Sequence, residues 1–164
     1  MKRITSQVAI GGTIEASAPN TFTEAIISIP LSPIDRQGFV VQEVYIMSQE
    51  PIPIAGLVCS VDIRVNKTSQ TGLTDVSNPM LIGSQQKRAY FLGTSTDMFE
   101  SDLAINPTSE GQSDYITILA TTVGFITILG VNNAFNETAS VRLVGYFAEL
   151  SSNEYNALVL DELQ

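Results

Sequence analysis

The stretch Leu57-Val-Cys-Ser-Val-Asp-Ile-Arg-Val-Asn66 decides the fold class. Apolar side chains occupy every second position from Leu57 to Val65, and, apart from Val58, polar side chains fill the positions between them. This alternation is typical of a β-strand that turns one face to a core and the other to solvent. The sequence therefore predicts a strand over residues 57–66 with Cys59 on its buried face.

Short runs of β-type residues recur on both sides of this strand, and residues that favour turns separate them. The predicted strands are residues 24–29, 38–48, 57–66, 87–93, 115–121, 124–131 and 140–150, with shorter additions at 8–10 and 80–82. About eight strands at this spacing predict an all-β sandwich or barrel. We expect one domain over residues 1–164, made of an N-terminal arm (1–22), a β-sandwich (23–150) and a C-terminal helical tail (151–164).

Three of these predicted strands, 38–48, 124–131 and 140–150, carry apolar side chains on both faces. A small sandwich has one core, so the outer faces of its sheets should be polar. Either the chain's own connections or neighbouring subunits must therefore cover the second apolar face. Phe125 and Tyr146 are the candidate interface residues on these strands.

The last residues change from strand to helix periodicity. Ser151 and Glu154 have the spacing of a capping box, and apolar residues follow at helical intervals. Glu162 lies in the last turn, where the helix dipole disfavours a carboxylate. We therefore expect a short helix held by packing, with Tyr155 and Leu158 as candidate contacts to its own sheet or to a neighbouring subunit.

The composition excludes several functional classes. Only 15% of the 164 residues are charged, against about 25% in ordinary domains, and the net charge of −9 repels phosphate backbones. Lys2 and Arg3 form a short basic start, so we expect no strong direct binding of nucleic acid. One cysteine allows no intrachain disulfide. Neither a signal peptide nor a long apolar run is recognisable, which predicts folding in the cytoplasm without membrane insertion.

The residues that carry most enzyme chemistry are scarce. The chain has no histidine, so Cys59 lacks the usual base of a nucleophilic thiol. Asp97, Glu100 and Asp102 lie in an acidic segment, which we interpret as a solvated loop with a one-turn helix over 97–103. Its alternatives are a Ca²⁺ site and, less well supported, a pair of carboxylates for glycoside cleavage. We predict no catalytic residue and no cofactor, with Ca²⁺ at these three residues as the metal candidate.

Two segments of the chain resemble a known family. The first begins Tyr115-Ile-Thr-Ile-Leu-Ala-Thr-Thr-Val-Gly-Phe-Ile-Thr-Ile-Leu-Gly130 and continues through Ser140-Val-Arg-Leu-Val-Gly-Tyr-Phe-Ala-Glu-Leu150 to Ser152-Asn-Glu-Tyr-Asn-Ala-Leu-Val159. The second is Ile29-Pro-Leu-Ser-Pro-Ile-Asp-Arg-Gln-Gly-Phe-Val-Val-Gln-Glu-Val44. Both resemble segments of the single jelly-roll major capsid (coat) proteins of small tailless viruses of microbes. Together they cover somewhat under half of the chain.

The resemblance implies a single jelly-roll sandwich of about eight antiparallel strands with a short C-terminal helix. It also implies a virion protein that is made in the host cytoplasm and self-assembles into capsomers and a closed shell. Its partners would be copies of itself and other virion proteins, and its genome would be packed by other means than a basic arm. Three alternatives remain: an accessory virion protein (decoration, spike or tail), a soluble trimeric β-sandwich binding module, and a glycosidase.

Overall fold

The computed structural model describes residues 1–51, 54, 56–91, 98–105 and 115–163. These residues form ten strands and one helix, which confirms the predicted all-β class. The elements are β1 (Lys2–Arg3), β2 (Val8–Glu15), β3 (Thr23–Ser28), β4 (Gln37–Ser48), β5 (Val58–Asn66), β6 (Leu81–Phe91), β7 (Met98–Ile105), β8 (Thr117–Leu119), β9 (Val123–Val131), β10 (Thr138–Glu149) and α1 (Ser152–Glu162).

The strands form two antiparallel sheets. In sheet A, β10 lies between β4 on one side and β1 and β2 on the other, and β8 follows β4; in sheet B the order is β3-β9-β5-β6-β7. The pairs β2–β10, β3–β9, β4–β8 and β5–β6 are nested in the sequence, and successive pairs alternate between the two sheets. A long antiparallel ribbon wound in this way is a single jelly roll, so the predicted architecture is confirmed.

The core between the sheets is built from the inward residues of each strand. On β5 these are Cys59, Val61, Ile63 and Val65, each at most 1% exposed, as the alternation predicts. The Cys59 thiol donates to the carbonyl of Asn132 at 3.0 Å and accepts the backbone N–H of Ile54 at 3.2 Å. It therefore behaves as a small core residue.

The outer face of β5 is buried, which differs from the prediction. Asp62 is 5% and Asn66 0% exposed, although alternation predicts that this face meets solvent. The β5–β6 connection, residues 67–80, folds back over part of this sheet. The Glu24 carboxylate on β3 holds it by accepting the Ser69 hydroxyl and the Gln70 backbone N–H, each at 2.6 Å. The chain itself therefore helps to close a face whose residues are polar.

Strand boundaries also differ from the prediction in the middle of the chain. The separate runs expected at 80–82 and 87–93 meet in one strand, β6, which includes residues 81–82 and 87–91 of them; residues 92–93 lie outside the described residues. The one-turn helix expected over 97–103 is wrong, because Met98–Ile105 form β7, which pairs with β6 from Ser84↔Ile105 to Phe91↔Met98. Ladder hydrogen bonds to a neighbouring strand override a weak local preference.

Residues 1–22, which are predicted to form an N-terminal arm, contribute two strands to sheet A. Strand β2 pairs with β10 over its whole length, from Glu15↔Thr138 to Val8↔Gly145, and β1 pairs with the end of β10. Small apolar residues and two glycines weaken the alternation of apolar and polar side chains in β2. The sequence pattern therefore predicts a strand over residues 8–10 alone.

The C-terminal helix begins with the capping box that the sequence predicts. The Ser151 hydroxyl accepts the Glu154 backbone N–H, and the Glu154 carboxylate accepts the Ser151 N–H. At the other end Glu162 is 6% exposed and accepts the backbone N–H groups of Ala120 and Thr121, both at 2.8 Å. This carboxylate joins α1 to the β8–β9 turn. The described part of the chain contains no helix with the length and apolar character that crossing a membrane requires.

Candidate assembly surfaces

Among the exposed apolar side chains of the described residues, two groups are candidates for contact. The first, the loop-end patch, lies where the β4–β5 and β9–β10 connections meet. Its members are 37–63% exposed: Ile54, Leu57, Val58, Val131 and Phe135. A monomer rarely exposes a contiguous apolar group of this kind unless it is used for contact.

The β9–β10 turn that carries Phe135 is held in one conformation. Asn132 has φ of 56°, a left-handed conformation that asparagine tolerates, and its side-chain amide donates to the Val58 carbonyl at 2.8 Å. Asn133 and Asn20 exchange two hydrogen bonds between the β9–β10 and β2–β3 connections, at 2.7 and 3.1 Å. The patch is therefore presented by an ordered end of the sandwich.

The second group, the sheet A groove, lies on the outer face of sheet A. It encloses about 630 Å³, and its lining residues are Gly11, Gly12, Thr13, Tyr45, Met47, Ser140, Val141 and Arg142. The register aligns Gly11, Arg142 and Tyr45 in one row and Thr13, Ser140 and Met47 in the next. Small side chains on β2 and at Ser140 of β10 thus leave a depression beside the larger ones on β4.

The sheet A groove has one polar pair at its margin. The Tyr45 hydroxyl donates to the Glu43 carboxylate. This hydrogen bond and the negative charge of Glu43 raise the pKa of Tyr45, while the Arg142 guanidinium acts in the opposite direction. Tyr45 is 52% and Met47 71% exposed, so the groove is mainly an apolar surface with a small charged border.

The four predicted interface residues do not come together on one surface. Phe125 is half-buried on sheet B beside Ile26, its register partner on β3, which is 63% exposed. Tyr146 is half-buried on sheet A with the Arg3 guanidinium 4.5 Å from its ring centre. Tyr155 and Leu158 are half-buried on α1. Their roles as contacts stay predictions.

The predicted Ca²⁺ residues fall largely beyond what the structure describes. Asp97 lies outside the described residues. Glu100 and Asp102 belong to β7, where their register partners are Ala89 and Lys87, and the description covers their backbone alone. Among the residues that the structure describes, no three acidic or cysteine side chains form a metal-binding group.

Two features of these surfaces have little signal in the sequence. The loop-end patch collects residues from connections that are distant along the chain, so periodicity cannot join them. The anchoring role of Glu162 has an indirect signal, because a carboxylate in the last turn of a helix breaks a local rule and such exceptions often have tertiary reasons.

No protein-family model matches this chain, and no curated protein sequence matches it. The jelly-roll topology and the geometry of the two surfaces are therefore the features that bear on function.

Proposed function

We propose that this chain is a coat subunit that self-assembles into capsomers and a closed viral shell. The observation that supports it best is the pair of open apolar surfaces on one jelly roll. The loop-end patch and the sheet A groove involve different connections and different sheets. A subunit of a closed lattice needs contacts to more than one neighbour, and separate heterologous contacts can generate such assemblies.

The charge distribution supports contacts between copies better than contacts with a genome. The net charge is −9, and the basic residues Lys2 and Arg3 lie in β1 beside β10. Arg3 also packs on the ring of Tyr146 instead of extending as a free basic residue. On this proposal the genome is packed by other means, and the chain has no catalytic activity, no membrane insertion and no strong direct nucleic-acid binding.

The proposed partners are further copies of this chain and, at the margins of the lattice, other virion proteins. The protein would fold in the host cytoplasm and reside in the virion. An accessory virion protein and a soluble trimeric binding module share the same fold class, because one fold serves many functions. Particle size separates these three functions.

The test is the mass of the purified full-length chain by light scattering after size exclusion, with negative-stain microscopy of the same fractions. The proposal expects closed particles of uniform size or defined capsomers that are larger than trimers. A stable monomer or trimer over a wide concentration range would overturn it and favour the accessory or binding-module function.

Two variants locate the contacts. Met47→Asp places a charge in the sheet A groove, where Met47 is 71% exposed. Phe135→Asp places one in the loop-end patch, where Phe135 is 63% exposed. Ile34→Asp is the matched control, because Ile34 is 93% exposed in the β3–β4 connection outside both surfaces. We expect all three variants to fold, and the first two to lose large assemblies. Unchanged particles in both would show that these surfaces do not carry assembly.

A further inference from the structure

A small cavity lies at the same end of the sandwich as the loop-end patch. It holds about 10 Å³, on the order of the space that the centre of one water molecule needs. Its walls come from the start of the β4–β5 connection, from β5 and from the β9–β10 turn. Five of its eight lining residues carry a side-chain oxygen: Gln49, Glu50, Asn133, Asn136 and Glu137.

Three buried oxygen atoms at this cavity have no hydrogen-bond partner among the described residues. Two are the carboxylate oxygens of Glu137, a residue that is 4% exposed, and the third is Oδ1 of Asn133, which is 5% exposed. A carboxylate that is buried without a partner is strongly unfavourable. The native protein must therefore supply a compensating group at this point.

The surrounding hydrogen bonds fix which atoms are left over. The Asn133 side-chain amide donates to the Ser60 carbonyl at 2.7 Å, and its backbone is joined to Asn20. The backbone carbonyl of Glu137 accepts the Ala16 N–H at 2.8 Å. The Asn133 amide nitrogen is thus engaged, and the three unpaired atoms at the cavity are all acceptors.

Gly130 on β9 gives these atoms their room. A Cβ at this position would lie 1.8 Å from Oε1 of Glu137 and 2.9 Å from Nδ2 of Asn133. The carboxylate and the amide therefore converge on the same point of the strand, where a larger residue would displace them. Because the Asn133 nitrogen already donates to Ser60, the Glu137 carboxylate and Asn133 Oδ1 are the atoms left without a donor, and a hard cation takes oxygen ligands of this kind.

We infer that this cavity binds a hard divalent cation, with Ca²⁺ as the preferred ion. The Glu137 carboxylate and Asn133 Oδ1 are its protein ligands, and water completes the coordination. Ca²⁺ accepts carboxylate and amide oxygens in irregular geometry, whereas Mg²⁺ demands a near-ideal octahedron. Glu50, which is ion-paired with Lys87, lies at the rim. The site is separate from the acidic segment 97–114, and it does not depend on the proposed coat function.

The experiment compares thermal unfolding of the chelator-treated full-length chain with and without about 10 mM CaCl₂ at constant ionic strength and protein concentration. With a Kd on the order of 10⁻³ M, Ca²⁺ should raise the Tm by roughly 3–6 °C, and MgCl₂ should raise it less. The Glu137→Gln variant should lose this shift. Glu149→Gln removes an equal charge from an exposed position at the far end of β10 and should keep it.

Calorimetric titration of the folded proteins with Ca²⁺ gives the second readout, and Glu137→Gln should weaken binding at least tenfold. Gly130→Ala keeps both ligands but fills their space, so it should also weaken binding, and it serves if Glu137→Gln does not fold. No response of the natural chain to Ca²⁺ would overturn the inference. Equal responses of the natural chain, Glu137→Gln and Gly130→Ala would overturn it as well.

Discussion

Tyr45 and Met47 on the outer face of sheet A are 52% and 71% exposed, whereas Asp62 and Thr127 on the outer face of sheet B are 5% and 0% exposed. The apolar outer face of sheet A is thus open, and the polar centre of the outer face of sheet B is closed, although Ile26 on its β3 edge is 63% exposed. Burial of an outer face in this protein follows the path of the connections, and the polarity of the side chains does not decide it. The open face is then available for contacts between subunits.

The closed face of sheet B depends on a polar network. The Arg64 guanidinium lies 3.6 Å from the Asp62 carboxylate, which also accepts hydrogen bonds from Gln86 and Ser60. The covering connection approaches the same place. Hydrogen bonds from Ser77 lower the pKa of Asp75 in this connection, and the positive charge of Arg64 lowers it further. Closing a polar face is unfavourable unless its groups are paired; Asp62 is paired here, whereas Arg64 Nε and Thr127 Oγ1 have no partner among the described residues.

The largest effect that this comparison predicts is at Asp62. Asp62→Ala should lower the free energy of unfolding by about 3–5 kcal/mol, because it leaves Arg64, whose side chain is 13% exposed, buried without its partner. Urea unfolding measures the loss. Glu43→Ala removes a carboxylate from the open face of sheet A and should change stability by less than about 0.5 kcal/mol.

The double variant Asp62→Leu/Arg64→Met sharpens the test. Replacing both charges with apolar groups of similar size should recover most of the stability that Asp62→Ala loses. If Asp62→Ala lowers the free energy of unfolding no more than Glu43→Ala does, the outer face of sheet B is solvated. The contrast between the two faces then does not hold.

The next effect concerns the connection that closes sheet B. Glu24→Ala removes the acceptor of the Ser69 hydroxyl and the Gln70 N–H and should cost about 1.5–3 kcal/mol. It should also admit protease into residues 67–80, which limited proteolysis detects. Glu15→Ala, at an exposed position of β2, is the control. Equal protease resistance in the two variants would show that Glu24 does not hold the connection.

The same contrast explains what the sequence could predict. Alternation in β5 correctly places Cys59, Val61 and Ile63 in the core, because the inward face obeys a local rule with period two. The outward face fails because Asp62 and Asn66 are buried in the tertiary structure, and no local pattern records such burial.

Two further elements mark the same limit. Strand β6 has a polar middle, Ser84 to Gln86, so the apolar pattern divides it into two runs although the ladder to β5 is continuous apart from one shift near Asn66. The capping box at Ser151 was predictable because it is local, whereas the bond from Glu162 to the β8–β9 turn joins distant residues.

The candidate site was less predictable than the fold. The residues chosen for interface contacts lie on several surfaces, since a two-sided apolar strand indicates that something covers it but does not say which face is already covered. Of the loop-end patch, Val58 and Val131 belong to predicted strands, but their proximity follows from the pairing of β5 with β9.

A smaller effect is expected at Met47. Because its side chain is 71% exposed, Met47→Thr should change the free energy of unfolding of the isolated subunit by no more than about 0.5 kcal/mol. Ile63→Ala in the core should cost about 2–5 kcal/mol in the same urea assay. A loss above about 1 kcal/mol for Met47→Thr would mean that the sheet A groove is closed in the subunit.

The smallest effect is a shift in the pKa of Tyr45, which tests whether Glu43 and Arg142 act on its hydroxyl as in the structure. Its hydrogen bond to Glu43 raises the pKa of Tyr45 above its ordinary value of 10.0, and Arg142 lowers it. In NMR titrations of the unassembled subunit, Glu43→Gln should therefore move the ionisation of Tyr45 to lower pH, and Arg142→Gln should move it to higher pH. Opposite signs are expected because one variant removes a negative charge and the other a positive one. Shifts of the same sign, or none, would place Tyr45 away from this pair and would contradict the described border of the sheet A groove.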